Sequence, residues 1–243
     1  MSATVDNQTS TATLTPAQPT CMIPPFAVTS NQKFVAQVYC DLFERTVDPV
    51  GLSYWNGFLS GGTSRSQVVF DIEFALPNEY QTIVVQGLYQ QYLHRAADPL
   101  GLQNGIAFLN GGGTNEQLAT MLIASPEFFM VAGGTNAGFL NALYLAALGR
   151  PIDPTAAANL GAFLAQGGSR AVVASGVLHS LEYQTKLVEG YYEEFLRRPA
   201  DPTGLALYVN LLQQGKTDQQ VIASIVGSPE YFAGVQSGSF QET

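Results

Sequence analysis

The stretch that decides the fold lies at residues 39–52 and reads YCDLFERTVDPVGL. A tyrosine is followed six residues later by an arginine, and an Asp-Pro pair begins three residues after that arginine. The pattern returns as YQQYLHRAADPLGL at 89–102, YLAALGRPIDPTAA at 144–157 and YEEFLRRPADPTGL at 192–205. Recurrence at a fixed period is the signature of tandem structural units. We therefore predict four copies of one unit of roughly fifty residues.

Two further signals follow the pattern in every copy, always in the same order. The first is a glycine-rich turn closed by a hydroxyl residue, at 61–64 (GGTS), 111–114 (GGGT), 167–169 (GGS) and 215–217 (GKT). The second is a short acidic and aromatic signature, at 77–80 (PNEY), 125–129 (SPEFF), 180–183 (SLEY) and 228–232 (SPEYF). These residues mark helix starts, because Asp, Ser and Thr oxygens cap free backbone N–H groups and proline fits the first helical position.

Capping boxes are predicted after three of the glycine turns, where a hydroxyl residue is followed three positions later by glutamine. The three pairs are Ser64 with Gln67, Thr114 with Gln117, and Thr217 with Gln220. Ser169 keeps the cap, but Val172 stands in place of the glutamine. Each copy is thus predicted to hold three to four helices, the last of which begins at the acidic signature as a short helix leading into the next copy.

The fold class follows from the spacing of apolar residues. Phe34, Val38 and Leu42 recur at helical intervals, and no sustained alternation or tight hairpin turn indicates strands. We predict an all-α protein whose repeats form one compact or solenoid-like array. The predicted organisation is an extended polar arm at 1–30, copies one and two at 31–132, a hinge-like linker at 133–138, copies three and four at 139–234, and a C-terminal tail at 235–243.

Composition narrows the classes of function. The formal net charge is −9 with only ten Lys and Arg residues, which argues against nucleic-acid binding and against docking on an anionic membrane. Only 12% of residues are charged, which suits a protein outside the cell or one packed against partners. No run approaches the ~18 apolar residues of a membrane span. The N-terminus has no basic residue and no apolar stretch, so no classical signal peptide is expected.

The repeated motif resembles a bacterial family known as domain of unknown function 4214. The resemblance rests on Tyr-x5-Arg-x2-Asp-Pro-x-Gly-Leu, on Trp55 after the first copy, and on the Ser-Pro-Glu-Tyr ending, and it covers roughly residues 32–232. Copy three departs most, with Thr-Ala-Ala at 155–157. The family implies large secreted or surface proteins, sometimes beside calcium-binding repeats, and phage or cyanobacterial proteins. It implies no catalytic residue.

An enzyme would need converging polar groups, and the sequence offers none. His94 stands where the other copies have glutamate, glycine and arginine, and His179 has no acid or cysteine at ligand spacing. The Gly-Lys-Thr at 215–217 resembles part of a phosphate-binding loop, but the first glycine of that motif would fall on Asn210. We expect no catalytic residue and no enzymatic activity.

The repeated aspartates have two interpretations. A loop aspartate beside a helix start can cap the helix or can bind calcium with help from backbone carbonyls. A calcium loop usually carries several acids, and each copy offers one, so the cap is favoured. Calcium is the only cofactor that the sequence suggests, and its candidate ligands are Asp48, Asp98, Asp153 and Asp201.

The other repeated residues are predicted to be structural. Each arginine is expected to pair with an acid or with carbonyls at its own helix end, and each tyrosine to pack in the core rather than serve as a ligand platform. These residues, with the one tryptophan, are Tyr39, Arg45, Trp55, Tyr89, Arg95, Tyr144, Arg150, Tyr192 and Arg198.

Two covalent features stay open. Cys21 and Cys40 can form a disulfide that pins the N-terminal arm to the first helix, or they can be free thiols with Cys40 in the core. Asn7 begins an Asn-Gln-Thr glycosylation sequon, although O-linked sugar is equally compatible with this Ser/Thr-rich arm.

These observations favour a non-enzymatic structural or assembly protein on the outside of a virion or bacterial cell, such as a capsid decoration, tail, fibre, surface-layer or filament subunit. The alternative is a secreted adhesion or glycan-binding module, in either a calcium-dependent or a calcium-independent form. The expected partners are further copies of this chain, other proteins of the same assembly, or a glycan. The expected location is the virion or the extracellular surface.

Overall fold

The computed structural model describes residues 21–240, and these residues form fourteen α-helices and no strand. The helices are α1 (Ser30–Phe43), α2 (Pro49–Ser60), α3 (Arg65–Ala75), α4 (Pro77–Leu93), α5 (Pro99–Asn110), α6 (Asn115–Ala124), α7 (Pro126–Val131), α8 (Asn136–Leu148), α9 (Pro154–Ala165), α10 (Arg170–Leu178), α11 (Leu181–Leu196), α12 (Pro202–Gln213), α13 (Asp218–Val226) and α14 (Pro229–Ser237). The predicted all-α class is confirmed. None of these fourteen helices is long and apolar enough to cross a bilayer.

The predicted caps stand at the helix starts, with one exception among the capping boxes. Thr114 and Thr217 each form the reciprocal box with glutamine. Ser64 accepts the backbone N–H of Gln67, but the Gln67 side chain donates to Asp71 Oδ1 at 2.8 Å instead of returning to the cap. The box predicted at Ser64 is therefore half formed, because an acid one turn away competes for the glutamine amide.

The first helix of every copy ends in a left-handed residue. Glu44, His94 and Arg197 have φ of 53°, 53° and 55°, and Gly149 has φ of 66°. The position of His94 is thus a helix C-cap, which explains why the four copies carry unrelated side chains there.

The acidic signature starts a short separate helix twice, as α7 and as the final helix α14. In α4 and α11 the helix continues from the signature through the tyrosine pattern of the next copy, whereas α7 stops at Val131 and α8 starts at Asn136. Thr135 caps α8 by accepting the Gly138 N–H at 3.0 Å. The linker predicted at 133–138 is therefore reduced to residues 132–135.

Two hydrophobic cores divide the copies in a way that differs from the division at the linker. One core is built from residues 27–80 together with 188–235, and the other from residues 85–183. Copy one thus shares a core with copy four, and copy two with copy three. Helical spacing identifies the buried face of each helix but not the helix that covers it, so the order of the copies in the sequence does not give these partners.

Matching contacts join the copies within each core. Helix α3 packs against α13 in the first core, and α6 packs against α10 in the second. The guanidinium of Arg65 lies 4.0 Å from the ring centre of Phe232, and that of Arg170 lies 4.1 Å from the ring centre of Phe129. These residues occupy corresponding positions, so the two halves repeat one arrangement.

The described part of the predicted arm, residues 21–29, precedes the first helix, and the predicted tail at 235–243 begins within α14. Helix α1 begins at Ser30, and a disulfide joins Cys21 to Cys40 within it, with Cα atoms 5.4 Å apart. Val235 is buried within α14, and the Phe240 ring lies 5.3 Å from that of Tyr231. The rest of the predicted arm, including Asn7, and residues 241–243 lie outside the described residues.

Candidate functional site

Four residues recur together in the structure as a Tyr–Arg–Asp–Glu set. The glutamate belongs to the acidic signature of the same copy. The sets are Tyr39, Arg45, Asp48 and Glu79; Tyr89, Arg95, Asp98 and Glu127; Tyr144, Arg150, Asp153 and Glu182; and Tyr192, Arg198, Asp201 and Glu230.

Each arginine donates two parallel hydrogen bonds to the carboxylate of its glutamate. In set four Arg198 Nε lies 2.5 Å from Glu230 Oε1 and Nη2 lies 2.8 Å from Oε2. The other three sets repeat this two-point contact. The arginine hydrogen bond lowers the pKa of Glu127, Glu182 and Glu230. Because these side chains are one-third to one-half exposed, water screens each ion pair, and the pairs add little to the stability of the fold.

The same guanidinium covers the tyrosine ring of its set. The distance from the guanidinium carbon to the ring centre is 5.0 Å at Tyr39, 5.1 Å at Tyr89 and Tyr192, and 5.4 Å at Tyr144. All four tyrosines are buried, and burial raises the pKa of each phenol. The tyrosines therefore pack in the core beneath a cation.

The aspartates cap helices. Oδ1 of Asp98 accepts the backbone N–H of Gly101 at 3.0 Å, and the other three aspartates make the equivalent bond. These bonds lower the pKa of each aspartate. In sets two, three and four the arginine also lies 3.2–3.9 Å from aspartate Oδ2. Within residues 21–240, no group of three or more acids, histidines or cysteines is placed so that it could hold a metal ion, and calcium binding stays a prediction.

In copies two and four, the glycine that follows Asp-Pro is explained by the tyrosine. A Cβ at Gly101 would lie 2.3 Å from Tyr89 Oη, and one at Gly204 would lie 1.8 Å from Tyr192 Oη. Ala156 occupies this position in copy three, so Tyr144 cannot be placed as Tyr89 and Tyr192 are. In copy one a Cβ at Gly51 would lie 3.5 Å from Tyr39 Oη, an ordinary contact, so a tyrosine placed as Tyr39 is leaves room for an alanine.

Trp55 marks a position at which the copies differ. Its Nε1 donates to Tyr39 Oη at 2.9 Å within the buried interior. The corresponding Tyr208 of copy four packs its ring 6.0 Å from that of Tyr192. In copy two the position is Gly105, where a Cβ would meet Val85 methyl groups at 2.9 Å. In copy three it is Leu160, which lines a cavity.

Sequence reasoning missed the buried acids. Asp218, the first residue of α13, is 6% exposed and accepts a hydrogen bond from Asn115 Nδ2 at 3.0 Å. Burial, with Glu116 beside it, raises the pKa of Asp218 well above its usual value. Burial likewise raises the pKa of Glu73, which has no hydrogen-bond partner among residues 21–240. A polar residue at a helix start looks like any other cap in the sequence, so no signal distinguished Asp218.

Asp41 is a further buried acid, and it links copy one to copy four. It accepts hydrogen bonds from Arg197 Nη2 at 2.8 Å and from Tyr231 Oη at 2.6 Å. Its side chain is 2% exposed, so this ion pair is largely withdrawn from water. It holds α1 against α14 and the C-terminal end of α11.

Comparison with known families assigns the chain. The model for Domain of unknown function (DUF4214) matches residues 26–84, 119–187 and 183–235. Tyr89, Arg95 and Asp98 of set two lie between the first two matches, whereas Glu127 falls inside the second. No curated protein and no solved structure matches the chain. Since the three matched segments together span well over half of its length, the chain belongs to the DUF4214 family.

Proposed function

We propose that this protein is a non-enzymatic assembly subunit, built from four copies of the family's domain and working on the outside of a virion or bacterial cell. The repeated residues support this proposal because their side chains either bind other groups of the same chain or are buried in it. Each arginine holds a glutamate, each aspartate holds a helix start, and each tyrosine is buried. Residues used in this way build a framework and leave no repeated group free for chemistry.

The disulfide supports a location outside the cytoplasm. Disulfides persist in oxidising surroundings, and reducing systems keep cytoplasmic thiols free. The Cys21–Cys40 bond ties the chain before α1 to the middle of that helix. We infer that the protein acts where such a bond survives.

The observation that carries the assembly role is an exposed apolar stripe on α2. Val50, Tyr54 and Phe58 follow one another at intervals of one helical turn and are 79%, 58% and 41% exposed. Isolated apolar residues are ordinary on protein surfaces, but a contiguous stripe of this kind is typical of a surface that contacts another protein. We propose that the stripe binds a second copy of the chain or another protein of the same assembly.

Charge on the stripe tests the proposal. In the double variant Val50→Glu/Tyr54→Glu, we expect the oligomers seen by light scattering and the regular particles seen by electron microscopy to be lost. The control Gln103→Glu/Asn104→Glu adds the same charge to exposed positions of α5 and should assemble normally. A monodisperse wild-type monomer at every concentration would refute the assembly role.

A further inference from the structure

Copy three contains a cavity at the position where copies one and four carry an aromatic side chain. The cavity has a volume of about 380 Å³ and lies between α8, α9 and α10. Its walls include Tyr144, Leu160, Phe163, Val173 and Val177. This volume falls within the range of small-molecule binding sites, and the walls are mainly apolar, as in such sites.

The occupant of the corresponding position in copy one indicates what the cavity can hold. There the Trp55 indole lies against Phe58, with ring centres 5.9 Å apart, and donates its N–H to Tyr39 Oη. In copy three, Leu160 replaces the tryptophan, while the tyrosine and the phenylalanine keep their places in the sequence. Copy three thus keeps the tyrosine and the phenylalanine that contact the indole in copy one, but it lacks the indole itself.

The polar groups around the cavity leave one hydroxyl available. Both oxygens of Glu182 are held by Arg150, and the Ser180 hydroxyl donates to the Val177 carbonyl at 2.6 Å. Tyr144 Oη makes no hydrogen bond to the part of the chain that the structure describes. A ligand N–H that approached Tyr144 Oη would reproduce the bond that Trp55 makes in copy one.

The cavity opens to solvent along α10. Val172 is 61% exposed, and Gly176 forms part of the exposed rim. A Cβ built on Gly176 would meet no atom within 4 Å. A ligand can therefore enter without unfolding the helix, and a larger residue at this position would close the entrance.

We propose that copy three binds a planar aromatic group bearing an N–H donor, with indole as the type. The ring would lie between Leu160 and Phe163, and its N–H would donate to Tyr144 Oη. The site does not depend on the assembly role, because it is contained within copy three.

Binding of 5-fluoroindole, followed by ¹⁹F NMR on the full-length protein, tests the proposal. We expect saturable binding with a dissociation constant below about 1 mM, as suits a ligand of this size. Leu160→Trp should abolish binding by filling the cavity, and Gly176→Leu should weaken it at least tenfold by closing the rim. As a control, Gly161→Leu adds the same side chain outside the cavity, at a position where a Cβ likewise meets no atom within 4 Å. This variant should bind 5-fluoroindole as the wild type does.

A second comparison isolates the hydrogen bond. Indene has the shape of indole without the N–H, so the wild type should bind indole about five times more tightly than indene. Tyr144→Phe should remove that difference and leave indene binding unchanged. Competition by N-acetyltryptophanamide would support a partner's tryptophan as the natural occupant, and competition by free indole alone would support a small molecule. Failure of 5-fluoroindole to bind, or binding that survives both Leu160→Trp and Gly176→Leu, would overturn the proposal.

Discussion

Asn115 and Asp218 meet at corresponding positions of copies two and four, where the amide of one donates to the carboxyl of the other at 3.0 Å. Each is the first residue of its helix, α6 or α13. Asp218 Oδ1 and Asn115 Oδ1 have no further partner within residues 21–240. Glu116 places a second carboxyl beside the pair, and the hydroxyls around it belong to four tyrosines, Tyr80, Tyr92, Tyr183 and Tyr191.

Replacing Asp218 by asparagine should stabilise the protein at neutral pH. The raised pKa of Asp218 means that its contribution to stability is greatest below its unfolded value of 3.8 and declines as the pH rises above it. At pH 7 a buried carboxyl with an unpaired oxygen costs about 1–3 kcal/mol. Asp218→Asn should therefore raise Tm by about 2–4 °C per kcal/mol at pH 7 and have little effect near pH 3.5.

Thermal melts between pH 3.5 and pH 8 check this expectation. The control Glu189→Gln removes one charge at an exposed position, and its effect should stay within about 0.5 kcal/mol. Stabilisation of equal size at every pH would mean that the proton on Asp218 is not the cause.

The features that the sequence predicted well are local ones. Each of the four aspartate caps joins residues that are three or fewer positions apart. The bond between Asp98 and Gly101 can therefore be predicted from the local sequence alone. The pairing of Arg95 with an acid was predicted without its partner, because Glu127 lies 32 residues away. In copies two, three and four the arginine and its glutamate are always 32 residues apart, and this constant spacing is the sequence signal that identifies the partner.

The features that escaped prediction depend on which helices meet. Neither the shared core of copies one and four nor the ion pair of Arg197 with Asp41, 156 residues apart, has a local signature. Leu160 is the counterpart of Trp55 in the repeat, but a leucine at this position does not reveal whether neighbouring side chains close the space. That depends on packing across α8, α9 and α10.

His94→Gly should stabilise the protein by about 0.5–1 kcal/mol. His94 holds φ at 53°, a left-handed conformation that strains a residue with a Cβ and that glycine adopts freely. Copy three already has Gly149 there, with φ of 66°. Chemical denaturation should show a higher midpoint for His94→Gly and a comparable loss for Gly149→Ala. Destabilisation by His94→Gly would mean that the histidine side chain makes a contact of its own.

Breaking the disulfide should cost about 3 kcal/mol, because Cys21–Cys40 closes a loop with a sequence separation of 19. Cys21→Ala removes the bond at the less buried end and spares the core position of Cys40. We expect Tm to fall by about 6–12 °C. Dithiothreitol should lower Tm of the wild type to the same value and leave the variant unchanged. Two free thiols in the purified native protein would contradict the bond.

Trp55→Leu should give copy one the cavity that copy three already has. The change removes buried ring atoms and the N–H that bonds Tyr39 Oη, so we expect a loss of about 2–3 kcal/mol and a fall in Tm of about 4–12 °C. Tyr54→Leu, at the exposed neighbouring position, should change stability by no more than about 0.5 kcal/mol. Added indole should then restore part of the lost stability in Trp55→Leu, because a ligand that binds only the folded state raises Tm in proportion to its occupancy. If indole raises Tm equally in Tyr54→Leu, the indole acts only at the copy-three cavity beside Leu160. If Trp55→Leu is as stable as the wild type, the hydrogen bond to Tyr39 contributes nothing to stability.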